Sequence, residues 1–291
     1  MQQATAHAST NGTDTDQLPR PHQLSDVKGW FHPVDQVLFD WILSRQYERS
    51  EQGDLLELGA YLGKSAIFMG TYLRADETFT VCDLFDSPAP DEANSAEMGR
   101  SYRSTLTRRA FEANYRSFHD ELPQIVQEPS AGITTHVEPD TCRFVHIDAS
   151  HLYEHVHADI TAAREVLGTD GIVVLDDFRA EHCPGVAAAT WGAVASTGLK
   201  PLCITATKFY GTWGAYDAIH ADLAAFLKER DDMWHGAEEV AEFPMIRISG
   251  KQARSPEQPV SRYAGQPLEP VPERARTKGL LASLLSRAGR N

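Results

Sequence analysis

The chain is poor in cysteine, short of basic charge and free of long apolar runs. Only four of its 291 residues are Cys: Cys82, Cys142, Cys183 and Cys203. None forms a CxxC pair, and two lie inside apolar runs (TVCDLF, PLCIT). A disulfide framework or zinc knuckle is therefore not expected, whereas buried free thiols are. No apolar stretch approaches the length of a bilayer span, which argues against stable membrane insertion. The opening MQQATAHASTNGTDTDQ lacks the charged-then-apolar pattern of a signal peptide, so the expected location is cytoplasmic. Lys and Arg number 27 against 41 Asp and Glu, a net charge of −14. That balance excludes nucleic acid as the expected partner, because phosphates need a basic face.

What is present is globular composition, 42% hydrophobic and 23% charged, in a chain long enough to bury a full core without staples. The charge is uneven. From Lys251 to Asn291 there are 8 basic and 3 acidic residues, while the preceding 250 carry 19 and 38. Three parts follow. Residues 1–25 lack periodicity and read as a disordered lead-in. Residues 26–250 form the folded body. Residues 251–291 read as a Pro-rich basic tail, in which Leu280, Leu281, Leu284 and Leu285 are spaced for a short amphipathic helix.

Within the body, helical spacing over 33–47, 65–75, 105–122, 152–167, 185–197 and 216–230 alternates with strand-like runs. These runs fall at 54–60, 79–85, 123–130, 142–148, 171–178, 200–206 and 208–214, and FPMIRIS follows at 243–249. The alternation predicts an α/β fold: a Rossmann-like, doubly wound, mostly parallel seven-stranded sheet with helices on both faces. In such sheets ligands bind beyond the carboxyl ends of the strands, so the residues just after each strand are the candidates.

After the first strand comes Glu57-Leu58-Gly59-Ala60-Tyr61-Leu62-Gly63-Lys64-Ser65. Glycines there let a ligand approach the backbone, and the next helix offers free N–H groups. Read as a phosphate loop, Gly63-Lys64-Ser65 fits, but the first glycine is required at position 58, which is Leu58. Read as E-x-G-x-x-x-G, Glu57, Gly59 and Gly63 match without a gap. Asp83 follows the second strand at the distance of a ribose-binding acid, with Asp86 a less well placed substitute.

Later, FVHIDASH puts Asp148 at a strand end with His151 three residues on, and IVVLDDF puts Asp176 and Asp177 at the next strand end. If those strands are parallel neighbours, three carboxylates meet on one rim and repel unless a cation lies between them. Oxygen ligands suit magnesium. His151 is the natural proton acceptor, with His182 its main competitor and His146 a packed strand residue.

Taken in order, Glu57-x-Gly59-x-x-x-Gly63, Asp83, Asp148-x-x-His151-x-Tyr153-Glu154, Gly171-Ile-Val-Val-Leu-Asp176-Asp177-Phe178, Pro184-Gly185-Val186 and Thr207-Lys208-Phe209-Tyr210 resemble the class I S-adenosylmethionine-dependent methyltransferases of the family-24 type. That group includes metal-dependent O-methyltransferases of macrolide and glycolipid sugars and cephalosporin hydroxylase-like proteins. The resemblance spans about residues 28–215. It implies that Glu57, Gly59, Tyr61, Gly63 and Ser65 surround the methionine and ribose of S-adenosyl-L-methionine, that Asp83 holds the ribose, and that Ser130 lies near the adenine. It implies Mg2+ on Asp148, Asp176 and Asp177, with His151 as base and Asp148 beside it in the catalytic pair. This chain has Asp176-Asp177 where the macrolide-sugar enzymes carry Glu-Asp. It has Ala149 and Ser150 where many relatives carry an acid or Gly.

The implied activity is methyl transfer to a hydroxyl of a small molecule, a sugar or secondary metabolite, with homo-oligomerisation left open. Gly29–His32 is a candidate lid, and the insertion from Ser87 to Tyr102 a candidate border of the acceptor. The competing readings are a P-loop-like nucleotide-binding enzyme and a non-catalytic Rossmann-like binding domain.

Overall fold

Strands rich in Leu, Val and Ile and buried on both faces need helices on both sides, and that is the architecture found. The computed structural model describes residues 18–101 and 106–266. The strands are β1 (Asp54–Leu58), β2 (Phe79–Cys82), β3 (Gln124–Val126), β4 (Cys142–Ile147), β5 (Leu167–Leu175), β6 (Lys200–Ile204), β7 (Phe209–Thr212), β8 (Trp234–Val240) and β9 (Phe243–Ser249). The helices are α1 (Pro33–Glu48), α2 (Lys64–Gly70), α3 (Glu92–Ser101), α4 (Arg108–Arg116), α5 (Tyr153–Val166), α6 (Pro184–Thr197) and α7 (Tyr216–Lys228).

One sheet runs in the order β3-β2-β1-β4-β5-β7-β6-β9-β8. The first five positions are mutually parallel, and β7 is antiparallel to both of its neighbours. Side chains alternate across it. Leu55, Phe144, Ile172 and Val174 face a core built with α1, α2, α4 and α7. Leu56, Leu58, Val145, Ile147, Val173 and Leu175 face α5 and α6. The four cysteines are buried free thiols.

The sheet has nine strands, not seven. FPMIRIS, as β9, joins β6 in parallel, and β8 folds back on β9. β8 carries no apolar run because it is the outer edge, where WHGAEEV leaves several side chains in solvent. The insertion after β2, the candidate border of the acceptor, contains α3. Its start is capped by Asp91, whose Oδ1 accepts from Asn94 N at 2.8 Å.

Both ends of the body extend further than the composition indicates. Leu24 and Val27 are buried in the core. Beyond Gly250 the chain crosses the body as a strap. Gln258 donates to Gln36 of α1 (3.2 Å), Ser261 Oγ to Pro21 O (2.6 Å), and Arg262 N to Ser117 O just after α4 (2.8 Å). Polar, Pro-rich sequence can lie flat on a surface through such bonds without apolar periodicity. Residues 18–25 and 251–266 are thus attached to the body. The Leu280–Leu285 helix and most of the lead-in lie outside the described residues.

Candidate active site

Strand register fixes the site. Leu58 of β1 is opposite Ile147 of β4, and Ile147 is opposite Leu175 of β5. The next residues, Gly59, Asp148 and Asp176, therefore stand in a row on the carboxyl edge, where the strand order reverses between β1 and β4. Backbone bonds tie the row together: Asp148 N donates to Leu58 O (2.7 Å) and Asp176 N to Ile147 O (2.9 Å). Above it opens a cavity of about 560 Å³.

One end of the cavity is the loop before α2. Gly59 has φ +79°, and a Cβ there would collide with the carbonyl of Asp148, so only glycine lets the two strand ends approach. Asp83 locks this loop. Its Oδ2 accepts from Ala60 N (2.8 Å) and Tyr61 N (3.0 Å), and its Oδ1 from Phe85 N (2.5 Å). Burial pushes its carboxyl above the usual range, against those three N–H groups. Further along, Ser130 opens a short 3-10 turn and lines the cavity beside Asp159 of α5. Both carboxylate oxygens of Asp159 are buried without a hydrogen-bond partner, and burial pushes the group up to about 6.

The other end is acidic. His151 lies between two carboxylates, with Nδ1 3.1 Å from Glu97 of α3 and Nε2 3.1 Å from Asp177. Glu97 also accepts from His151 N and Ser150 Oγ, each at 2.8 Å. Burial opposes charge on the ring, but the bonds to Asp177 and Glu97 outweigh it and raise His151 to about 10. Burial likewise opposes charge on Glu97, and the bonds from His151 and Ser150 still hold it down at about 2. The resting site thus contains an imidazolium clamped by two carboxylates. Asp177 has φ +54°, a left-handed turn that an Asp tolerates. Asp176 Oδ1 accepts from Asp177 N (2.8 Å), and Asp176 Oδ2 is paired with Lys208 Nζ. Among the described residues the Asp148 side chain has no hydrogen-bond or ion-pair partner. Burial and the neighbouring Asp176 raise its carboxyl well above the ordinary value.

Of the residues singled out from sequence, Gly59, Tyr61, Ser65, Asp83, Ser130, Asp148, His151, Asp176 and Asp177 all line this cavity. Glu57 and Gly63 do not. Glu57 lies under the floor, fully buried, with Oε1 2.8 Å from His146 Nδ1; register explains this, since Glu57 is opposite His146 on one sheet face. Gly63, with φ +90°, forms the turn into α2 against the Phe111 ring. His182 lines the cavity as well, its ring centroid 6.0 Å from that of His151. The candidate lid contributes Gly29, Trp30 and His32, and Trp30 stacks on Tyr61 at 6.1 Å while 69% exposed.

Three residues were not found from sequence. Glu97 sits on a polar helix more than fifty residues before its histidine. Lys208 was visible only as one letter of Thr207-Lys208-Phe209-Tyr210. Asp159 looked like one polar position on an amphipathic helix.

Residues 56–178 match the model of a family described as a methyltransferase domain. The solved structure of the O-methyltransferase NovP shares the fold at TM-score 0.52 and 21% identity, over 62% of this chain and 79% of that one. CalS11, a TDP-rhamnose 3′-O-methyltransferase of calicheamicin biosynthesis, aligns at TM-score 0.43 and 19% identity, over 62% and 80%. The S-adenosylhomocysteine-bound methyltransferase PaMTH1 of Podospora anserina aligns at 0.45 and 13%, over 66% and 86%. No curated protein sequence matches the chain. The family match takes in the glycine loop, Asp83, Asp148, His151, Asp176 and Asp177, and over this stretch the chain is similar to a methyltransferase domain. Lys64, the lysine of the phosphate-loop reading, has its Nζ bonded to Gly29 O at 3.0 Å. Among the described residues no helix is long and apolar enough to cross a membrane.

Proposed function

We propose that the protein transfers the methyl group of S-adenosylmethionine to a hydroxyl of a small molecule, with His151 as base and a divalent cation, magnesium, at the carboxylates. The observation that carries this reading is the single cavity joining a glycine loop to a histidine–carboxylate cluster. The cofactor end fits the adenosyl group on two counts. Gly59 lets the ends of β1 and β4 close up, so that backbone and not a side chain borders this end, and the buried carboxylate of Asp159 beside Ser130 suits an amine donor such as that of adenine. Asp83, already holding the loop, keeps lone pairs for ribose hydroxyls.

The acidic end fits one divalent cation. Fully ionised, Glu97, Asp148, Asp176 and Asp177 bring four negative charges, and His151 and Lys208 return two positive ones, which leaves the charge of one such ion. Asp148 has no side-chain partner among the described residues, and its carboxylate belongs to two groups whose donor atoms lie within 4.8 Å of one another, one with His151 and Asp177 and one with His146 and Asp176. Oxygen donors favour a hard ion. When bound, magnesium would orient an acceptor hydroxyl and lower its pKa.

Methyl transfer from a sulfonium is an in-line displacement, so most of the work of this chain is positioning. His151 becomes a base once Asp177 releases Nε2 and the Nε2 proton is lost to solvent. Glu97 stays on Nδ1–H, which fixes the tautomer and points the Nε2 lone pair into the cavity. The proton of the acceptor hydroxyl then passes to Nε2 as the oxygen takes the methyl group. The exposed Trp30 on Tyr61, with Met98 and Leu106 across the cavity, gives the acceptor a partly apolar wall. That wall suits a sugar or other hydroxylated ring rather than a polyanion.

The test is calorimetry with S-adenosylmethionine, S-adenosylhomocysteine and ATP, followed by turnover on a panel of hydroxylated acceptors with chelator and with added magnesium. Binding of both adenosyl compounds, no ATP binding, and turnover lost to chelator and restored by magnesium are expected. ATP binding without S-adenosylhomocysteine binding would sink the reading; chelator-insensitive turnover would remove the metal alone.

A further inference from the structure

Lys208 has no part in the chemistry above, yet it is among the most buried residues of the chain, 1% exposed. It precedes β7, whose register sets Leu175 opposite Phe209; one step further along, Lys208 meets Asp176. Its Nζ pairs with Asp176 Oδ2 and reaches His146 Nε2 at 3.0 Å. The rings of Phe31 and Phe39 lie 5.9 Å away on its other sides. The direct pairing with the Asp176 carboxylate marks the group as an ammonium.

An ammonium can only donate. His146 Nε2 must therefore accept, and its Nδ1–H donates to Glu57 Oε1 (2.8 Å). The result is a buried polar chain, Glu57–His146–Lys208–Asp176, running under the cavity floor from β1 to β5. It joins the strand that carries the glycine loop to the strand that carries the acid pair. Both oxygens of Asp176 are engaged, one by Lys208 and one by the N–H of Asp177, whereas the Asp148 side chain is unengaged among the described residues.

We propose that Lys208 is a positioning residue: it anchors Asp176 as a fixed partner, so that Asp148 and Asp177, and not Asp176, are the carboxylates that take the divalent cation, and its charge weakens the hold on that cation. This rests on the metal-assisted reading above. It departs from the simple expectation that all three strand-end carboxylates are equivalent ligands.

Two variants test it, with S-adenosylhomocysteine-bound protein and Mn2+ or Mg2+ alone as the probe in calorimetry. Lys208→Met keeps the unbranched shape against Phe31 and Phe39 and removes the charge. It should bind the cation at least tenfold more tightly, because a like charge is gone from the site. Its turnover at saturating cation should fall about a hundredfold, as Asp176 loses its anchor. A tighter cation with slower turnover is a pairing that loss of packing alone would not produce. Unchanged or weaker cation binding would overturn the proposal, and so would unchanged turnover.

Should the single variant unfold around an unpaired Asp176, the double variant Lys208→Met/Asp176→Asn removes both charges together, a change that buried pairs commonly tolerate. Cation affinity within threefold of the parent is expected. A loss of a hundredfold or more would put Asp176 among the ligands and reject the proposal. If the parent binds S-adenosylhomocysteine but no divalent cation, the inference falls while the methyltransferase reading stands.

Discussion

The glycine-loop end of the cavity comes from one continuous stretch, Gly59 to Ser65, pinned by the first residue after β2. The acidic end is assembled from four separated segments: α3 gives Glu97, the end of β4 gives Asp148 and His151, the end of β5 gives Asp176 and Asp177, and the start of β7 gives Lys208. The loop end is held by backbone N–H groups on Asp83, the acidic end by side-chain ion pairs. A site held by backbone is set once the fold forms. A site held by opposed charges is set only in balance, and a bound ion or substrate can shift it. The loop end therefore suits a constant ligand, the cofactor, and the acidic end suits chemistry in which a proton must move.

The sharpest way to break this comparison is to remove the histidine. His151→Ala should lower kcat by about 10²–10⁴-fold while leaving S-adenosylhomocysteine affinity within threefold by calorimetry. A parallel loss of cofactor affinity would mean that the two ends are not separable. If kcat is unchanged, His182, on the same wall, becomes the residue to replace.

Glu97→Gln comes next. It keeps the shape and the acceptor for Nδ1–H but removes one of the two charges that hold His151 protonated. Turnover should fall by about 10–10²-fold, the usual cost of losing an orienting partner, with cofactor affinity unmoved. The same pair makes a pH prediction. His151 is raised from 6.5 to about 10, so its contribution to stability is full below 6.5 and is lost as pH climbs through 10. Glu97 is lowered from 4.5 to about 2, so its contribution is full above 4.5 and is lost as pH falls through 2. The stability difference between parent and Glu97→Gln should therefore peak between about pH 4.5 and 6.5 and narrow on both sides. Chemical denaturation across pH would show it; a flat difference would mean that the clamp does not form in solution.

At the loop end, Asp83→Ala should weaken S-adenosylhomocysteine roughly tenfold or more, since two loop N–H groups, Ala60 and Tyr61, lose their acceptor along with Phe85 N, and the proposed ribose contact goes too. At saturating cofactor, kcat should move far less. The two ends are thus expected to show opposite patterns, binding without rate against rate without binding.

The difference between the ends also explains what could be read from the letters alone. Glu57-x-Gly59-x-x-x-Gly63 and the strand-end acids are local patterns, and strand register does the rest: once β1, β4 and β5 are adjacent, Gly59, Asp148 and Asp176 must align. Glu97 and Lys208 obey no spacing rule, because their partners lie more than fifty and about thirty residues away and meet them only through tertiary packing. Glu57 shows the reverse. Its motif position suggested the cofactor, but alternation on β1 turns it to the sheet face where His146 waits. FPMIRIS, the inner strand β9, was visible as an apolar run, whereas β8 and the strap escaped because an edge strand and a polar strap are held by hydrogen bonds rather than by apolar periodicity.

The strap gives the smallest expected effect. Composition alone divides the chain at Gly250, yet Gln258, Ser261 and Arg262 bond to α1, to Pro21 and to the turn after α4, and none of them lines the cavity. A chain ended after Gln266 keeps the strap and serves as the reference. Ending it after Gly250 should remove a few hydrogen bonds of about 1 kcal/mol each and lower Tm by roughly 4–8 °C. Because the strap touches neither end of the cavity, cofactor affinity and kcat measured well below Tm should stay within twofold in both truncations. A selective loss of cofactor affinity in the shorter chain would show that α4, which packs on the glycine turn through Phe111, transmits the strap to the loop end and that this end is less self-contained than its backbone bonds imply.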